Sequence, residues 1–228
     1  MSDSATPATP VTFPPAFLWG AAPAAYHLPN LLLHAAVTCL ILLLAATWGA
    51  PPWAAVLAAL VFAVHPVNAQ AVAWIAGRND LLLALFGLIS LLAWSALRKP
   101  VIRGATISVV ASVAIHVLAF ALAVFSKETG VLFIALAILH QRLVARAPIT
   151  RAQKVVLTID AAIVIAWAVL RSRALSGMPS EITWETMTVV AGNAPQILVH
   201  LRKILIPFPL NVAPGVQDRD LLLAALAL

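Results

Sequence analysis

Cysteine occurs once in 228 residues, tyrosine once, and charged side chains make up only 10% of the chain. A single thiol, Cys39 inside an apolar run, can build neither a disulfide framework nor a thiolate metal site. Soluble domains carry about 25% charged residues, so this chain has too little polar material to clothe a water-facing surface. Acids are the scarcer sign, 8 against 14 Lys and Arg, for a net charge of +6. The cations are scattered between apolar runs and form no stripe, which excludes a free-standing nucleic-acid binder. Disorder and coiled coil fall too, because 63% of residues are hydrophobic and mean hydropathy is +1.01. These values describe an all-α integral membrane protein.

A span needs roughly 20 mainly apolar residues. Residues 28–47, 53–74, 80–97, 105–125, 131–144 and 155–170 supply candidates, the fifth being short. The amino terminus lacks a basic region leading into an apolar stretch, so the first helix is expected to be retained rather than cleaved as a signal peptide. The run 221–228 is expected to be the start of a helix that is cut off. Residues 1–25 read as a polar, Pro-rich segment, 26–170 as a polytopic transmembrane helical bundle, and 171–220 as an outer-face segment.

Short loops give the orientation. Arg98, Lys99 and Arg103 fill one, and Arg142, Arg146, Arg151 and Lys154 fill another. Both are expected on the cytoplasmic side, since positive side chains cross poorly during insertion. Asp80, Glu128, Glu181, Glu185, Asp218 and Asp220 then fall on the other side or at its membrane edge, where chemistry would occur. Asp160 lies within a span, and the reading favoured for it is snorkelling or pairing with Lys154 or Arg151.

Four clusters carry polar side chains at the outer edge. In YHLPNLLLH, His27, Asn30 and His34 share a helix face, suited equally to binding substrate or to hydrogen bonding between helices. In HPVNAQAVAWIAGRND, Pro66 breaks a span next to His65, and Arg78 and Asp80 meet at the return. Arg78 could clamp a lipid phosphate and Asp80 could take a proton or a cation; an ion pair and helix cap is the structural alternative. In FSKETGVLF, Lys127 and Glu128 interrupt two apolar segments, as a phosphate-binding break or a plain hairpin turn. In LRKILIPFPLNVAPG, an amphipathic helix over 195–206 carries Arg202 and Lys203, and Pro207 and Pro209 end it.

Taken in this order, YHLPNLLLH, FAVHPVNAQAVAWIAGRNDLLLALF, SKETG and LIPFPLN resemble the transmembrane half of the tetratricopeptide-repeat O-mannosyltransferases and their bacterial relatives, within the GT-C glycosyltransferases. The resemblance implies a GT-C-like bundle that transfers a sugar from a polyprenyl-phosphate donor to a protein or other hydroxyl acceptor at the periplasmic or luminal face. By position, His65 and Pro66, then Gly77, Arg78 and Asp80, then Ser126, Lys127 and Glu128 match its motifs. It implies Asp80, Glu128 and His65 as catalytic candidates, and Arg78, Lys127, His27, Asn30, Arg202 and Lys203 as substrate-binding ones. The cofactor is left open, a divalent cation among the options. The chain departs from the pattern at Gln70 and Ala213, where relatives usually carry acids, and it has no acidic loop after a first span. It is therefore expected to be a truncated or degenerate member. The rival expectation is a non-catalytic scaffold, transporter or flippase-like subunit binding lipid-linked sugar; a transporter should show paired broken helices in two halves. A bacterial inner membrane fits the Ala-rich spans.

Overall fold

The structure is a computed structural model describing residues 23–74, 77–98 and 108–176, together with residues 198, 201, 202 and 204. The segments 1–22 and 221–228, Lys203 and most of the 195–206 helix lie outside the described residues, although 198, 201, 202 and 204 are helical.

The described chain is all-α: α1 Pro23–Thr47, α2 Pro52–Val64, a 3-10 turn Pro66–Asn68, α3 Ala69–Ala73, α4 Arg78–Ala96, α5 Val109–Ser126, a 3-10 turn Glu128–Val131, α6 Leu132–Leu143 and α7 Arg151–Ala174. His27–Thr47, α4, α5 and α7 are each long and apolar enough to cross a membrane. The pair formed by α2 and Pro66–Ala73, bent by 47°, adds a fifth crossing if taken as one span. The fifth candidate segment is short, as its sequence indicates: α6 has 12 residues, roughly 18 Å of helix against about 30 Å of hydrocarbon. Its first turn is used up by the break at Lys127, whose extended backbone (φ −160°) stops α5.

This is an integral membrane protein, and its surface is inverted accordingly. Leu32, Leu60, Val110, Leu118, Leu132 and Ile165 stand exposed along the helices, as lipid-facing side chains do. Trp53 near one end and Trp74 near the other are also exposed, in keeping with interfacial tryptophans at both boundaries. The core is built from Leu44, Leu91, Leu92, Trp94, Leu97, Ala137 and Val156.

Contacts between helices give the register. Asn30 meets Arg78 and Trp48 meets Ser95, so α1 and α4 run parallel. Asp80 meets Lys127 and Ser90 meets His116, so α4 and α5 run antiparallel. Glu128 meets Arg171 and His116 meets Asp160, so α5 and α7 are parallel. The start of α4 and the ends of α5 and α7 therefore share one end of the bundle, which also holds Asn30. The loop between α6 and α7 lies at the opposite end.

Asp160 departs from its expected role. It is 1% exposed and meets neither Lys154 nor Arg151; its Oδ2 lies 3.0 Å from His116 Nε2. The parallel register sets His116 opposite it, about two and a half turns in from Arg151. His116 Nδ1 faces the Ser90 carbonyl at 2.9 Å and so donates there. A second proton must therefore lie between Nε2 and Oδ2, leaving the pair neutral overall. That is how two ionisable groups are accommodated between Trp94 and Phe120.

Candidate functional site

The break after α2 begins with Pro66, which lacks the N–H needed to continue a helix. His65 caps the following turn: its Nδ1 accepts the Val67 N–H at 3.2 Å. Nε2 must then carry the proton, and it donates to the Ile204 carbonyl at 3.0 Å. His65 thus ties the break to the helical residues 201, 202 and 204, of which Arg202 is half-buried. Asn68 completes the turn by donating to the Phe62 carbonyl at 2.7 Å, one of the orphaned acceptors at the end of α2.

Asn30, fully buried, holds the far side of the break. Its amide donates to the Val72 and Trp74 carbonyls at 3.3 and 3.2 Å, and its Oδ1 accepts from Arg78 Nε at 3.0 Å. One amide thereby satisfies the backbone that leaves α3 and aims the guanidinium that opens α4. His34, a turn further along α1, donates from Nε2 to the Ala63 carbonyl at 3.0 Å and stacks on Phe62. The two side chains do the interhelical bonding that was one of the two readings of YHLPNLLLH. His27 is exposed instead.

Gly77 lets α4 start hard against α3: a Cβ there would lie 2.8 Å from Ala71 Cα. In the first turn of α4, Asp80 forms an ion pair with Lys127, with both side chains half-exposed. Glu128 pairs with Arg171 at 3.5 Å, and Arg171 also lies 5.3 Å over the Trp167 ring. Gly130 permits the turn back into α6, since a Cβ there would stand 2.7 Å from the Ala123 backbone.

At 1.5 Å per residue, Arg78, Asp80 and Lys127 stand roughly 24–27 Å from the far ends of their helices, at the membrane boundary. Arg78, Asp80, Lys127 and Glu128 are thus brought to one end with Asn30, and His65 stands about a turn deeper. Arg171 is the residue that sequence reasoning missed. Its signal was weak: a cation at a helix end, 43 residues from its partner, reads only as a boundary marker. Among the described residues no three of His, Cys, Asp and Glu gather to hold a metal ion. The arrangement offers two carboxylates, each held by a cation, beside a buried-amide-oriented arginine. Such a set can bind a phosphate diester and accept a proton.

Comparison with known proteins finds several protein O-mannosyl-transferases similar to part of this chain. The chain is 36% identical to human protein O-mannosyl-transferase TMTC4 over 123 residues, covering 48% of this chain and 16% of that protein. It is 40% identical to Drosophila melanogaster protein O-mannosyl-transferase Tmtc2 over 75 residues, 33% of this chain and 8% of the relative. Against human protein O-mannosyl-transferase TMTC3 it is 29% identical over 125 residues, 54% and 13% respectively. The matches therefore span about one sixth or less of these relatives' length. No protein-family model matches the chain, and no solved structure matches it significantly. By these matches the chain is similar to the protein O-mannosyl-transferases.

Proposed function

We propose that this chain is a GT-C-like membrane glycosyltransferase module that moves a sugar, mannose by analogy with its relatives, from a polyprenyl phosphate to a hydroxyl of a protein acceptor. The observation that carries this reading is the gathering of Arg78, Asp80, Lys127 and Glu128 at one boundary of an apolar bundle. Similarity to the O-mannosyl-transferases supports it independently. Residues 26–170 form the module proper, and the bond from His65 to Ile204 brings the described residues around Arg202 toward the same end. The positive loops make the opposite end cytoplasmic, so the active end is periplasmic in a bacterial inner membrane and luminal in a eukaryotic one.

In the transfer, the acceptor oxygen attacks the anomeric carbon and the bond from that carbon to the phosphate oxygen breaks. The electron pair leaves on the phosphate and the hydroxyl proton passes to a carboxylate. Arg78, fixed by Asn30, and Lys127 hold the leaving phosphate. When the phosphate takes Lys127, Asp80 loses its ion-pair partner and becomes the base; Glu128, held by Arg171, is the second candidate. His65 is a positioning residue, since both ring nitrogens are engaged. His27 is an acceptor contact at the rim.

The test is transfer from radiolabelled polyprenyl-phosphate mannose in membranes holding this chain, beside Asp80→Asn, Arg78→Ala and a vector-only control. Removing a general base should cost about 100-fold or more. Transfer above the vector control that both substitutions abolish would uphold the assignment. Retention of donor without transfer, if dependent on Arg78, would favour a lipid-sugar-binding scaffold instead; neither transfer nor retention would sink both.

A further inference from the structure

At the end of the bundle opposite the candidate site, the turn between α6 and α7 frames a hollow of about 610 Å³ lined by Gln141, Arg142, Arg146, Pro148, Ile149 and Lys154. Three of these six are cations. Arg98, next to His140 at the same end, adds a fourth, and its Nη1 is buried with no hydrogen-bond partner among the described residues. The described carboxylates are Asp80 and Glu128 at the other end and Asp160, which is buried against His116. Among the described residues, then, this end holds cations and no acid to balance them.

The turn is rigidly built. Gln141, fully buried, donates to the Ala147 carbonyl at 2.6 Å and the Pro148 carbonyl at 3.2 Å, and its Oε1 accepts from Gln153 at 3.2 Å. Gln153 in turn closes a reciprocal cap with Thr150 at the start of α7. Arg146 sits in the left-handed region, φ 44°, which an arginine adopts only when its surroundings hold it there. Its Nε donates to the Leu143 carbonyl at 3.3 Å, so the side chain is kept over the end of α6. The positive end of the α7 dipole adds to the field. Leu143, Val144 and Val155, next in sequence to the lining residues Arg142 and Lys154, stand exposed, which gives this end an apolar border beside its cations.

We propose that this hollow binds the phosphate of an anionic membrane phospholipid, with Arg142, Arg146 and Lys154 on the phosphate and the acyl chains against the apolar rim. Both the uncompensated charge and the apolar border match that ligand. The site does not depend on the sugar-transfer reading, and it lies a membrane thickness away from Arg78 and Lys127.

The experiment reconstitutes the whole chain in phosphatidylcholine nanodiscs containing brominated phosphatidylglycerol or brominated phosphatidylcholine, and reads quenching of tryptophan fluorescence as lipid composition is varied. The unaltered protein should favour phosphatidylglycerol at least tenfold. Each of Arg142→Gln and Lys154→Gln should weaken that preference about fivefold, and the triple variant with Arg146→Gln should abolish it, while Arg173→Gln at the far end leaves it intact. Melting curves identify any variant that fails to fold, and the single substitutions then decide. Soluble glycerol phosphate at millimolar concentration should not displace the lipid. The proposal is overturned if the preference is absent, survives the folded variants, or yields to glycerol phosphate, which would make the ligand a soluble phosphate ester.

Discussion

Among single residues, Asn30 and His116 show how polar groups are used inside an apolar bundle. Asn30 spends its hydrogen-bonding capacity on two backbone carbonyls and on Arg78, so Asn30→Leu should remove the bond that aims the arginine's Nε and weaken donor binding through Arg78. The polar contact of His116 and Asp160 is neutral as a pair and buried. His116→Leu would strand a buried carboxyl, and breaking such a pair costs about 3–5 kcal/mol. The double change to Leu at both positions should recover most of that loss, measured by thermal unfolding in detergent. A double variant no more stable than His116→Leu alone would show that the pair contributes specific architecture beyond charge balance. Lys127 is the opposite case. Its ion pair with Asp80 is half-exposed, and such pairs contribute about 0–1 kcal/mol. Lys127→Met should therefore leave the melting temperature nearly unchanged while abolishing sugar transfer; equal losses of both would mark it as structural.

Secondary-structure elements record which features local sequence can declare. The break at Pro66, the return at Gly77 and Arg78, and the interruption at Lys127 and Glu128 were legible because proline, glycine and adjacent charges act on the chain next to them. The pairings that close the candidate site were not. Asp80 with Lys127, Glu128 with Arg171 and His116 with Asp160 join residues 43 to 47 positions apart, and such register depends on how helices pack. Asp160 was expected to snorkel or to pair with Lys154 or Arg151 for this reason: its partner is a histidine in AIHVLAF, a stretch whose apolar neighbours gave no sign that a ring there would face another helix. That α6 is too short to cross alone was legible from its length, whereas the 3-10 turn Glu128–Val131 that precedes it was not, because hydropathy does not reveal where such a turn falls. Glycines explain the tight returns. Gly130→Ala would drive a methyl into the Ala123 backbone, and overpacking of that kind costs about 1–3 kcal/mol. A drop in melting temperature with loss of transfer is expected; an unaltered protein would contradict the close approach.

Over the whole molecule, the two ends differ in chemistry. One gathers carboxylates paired with cations around two breaks, and the other gathers cations around a rigid turn. The breaks lie at or near a boundary, whereas transporter sites form near the midplane between repeated halves, which favours surface chemistry over transport. In a Cys39→Ser background, Asn79→Cys should react with an impermeant maleimide from the outer side of intact cells, and Ala147→Cys only after permeabilisation. Labelling of both from one side would overturn the topology. The most direct measurement is crosslinking with a photoreactive polyprenyl-phosphate mannose analogue, the labelled peptides being located by mass spectrometry. Label in the segments around Arg78 to Asp80 and Lys127 to Gly130, lost with Arg78→Ala, is the expected result; label confined to the turn from Gln141 to Lys154, or unaffected by Arg78→Ala, would contradict a glycosyltransferase site at the Asp80 and Lys127 end.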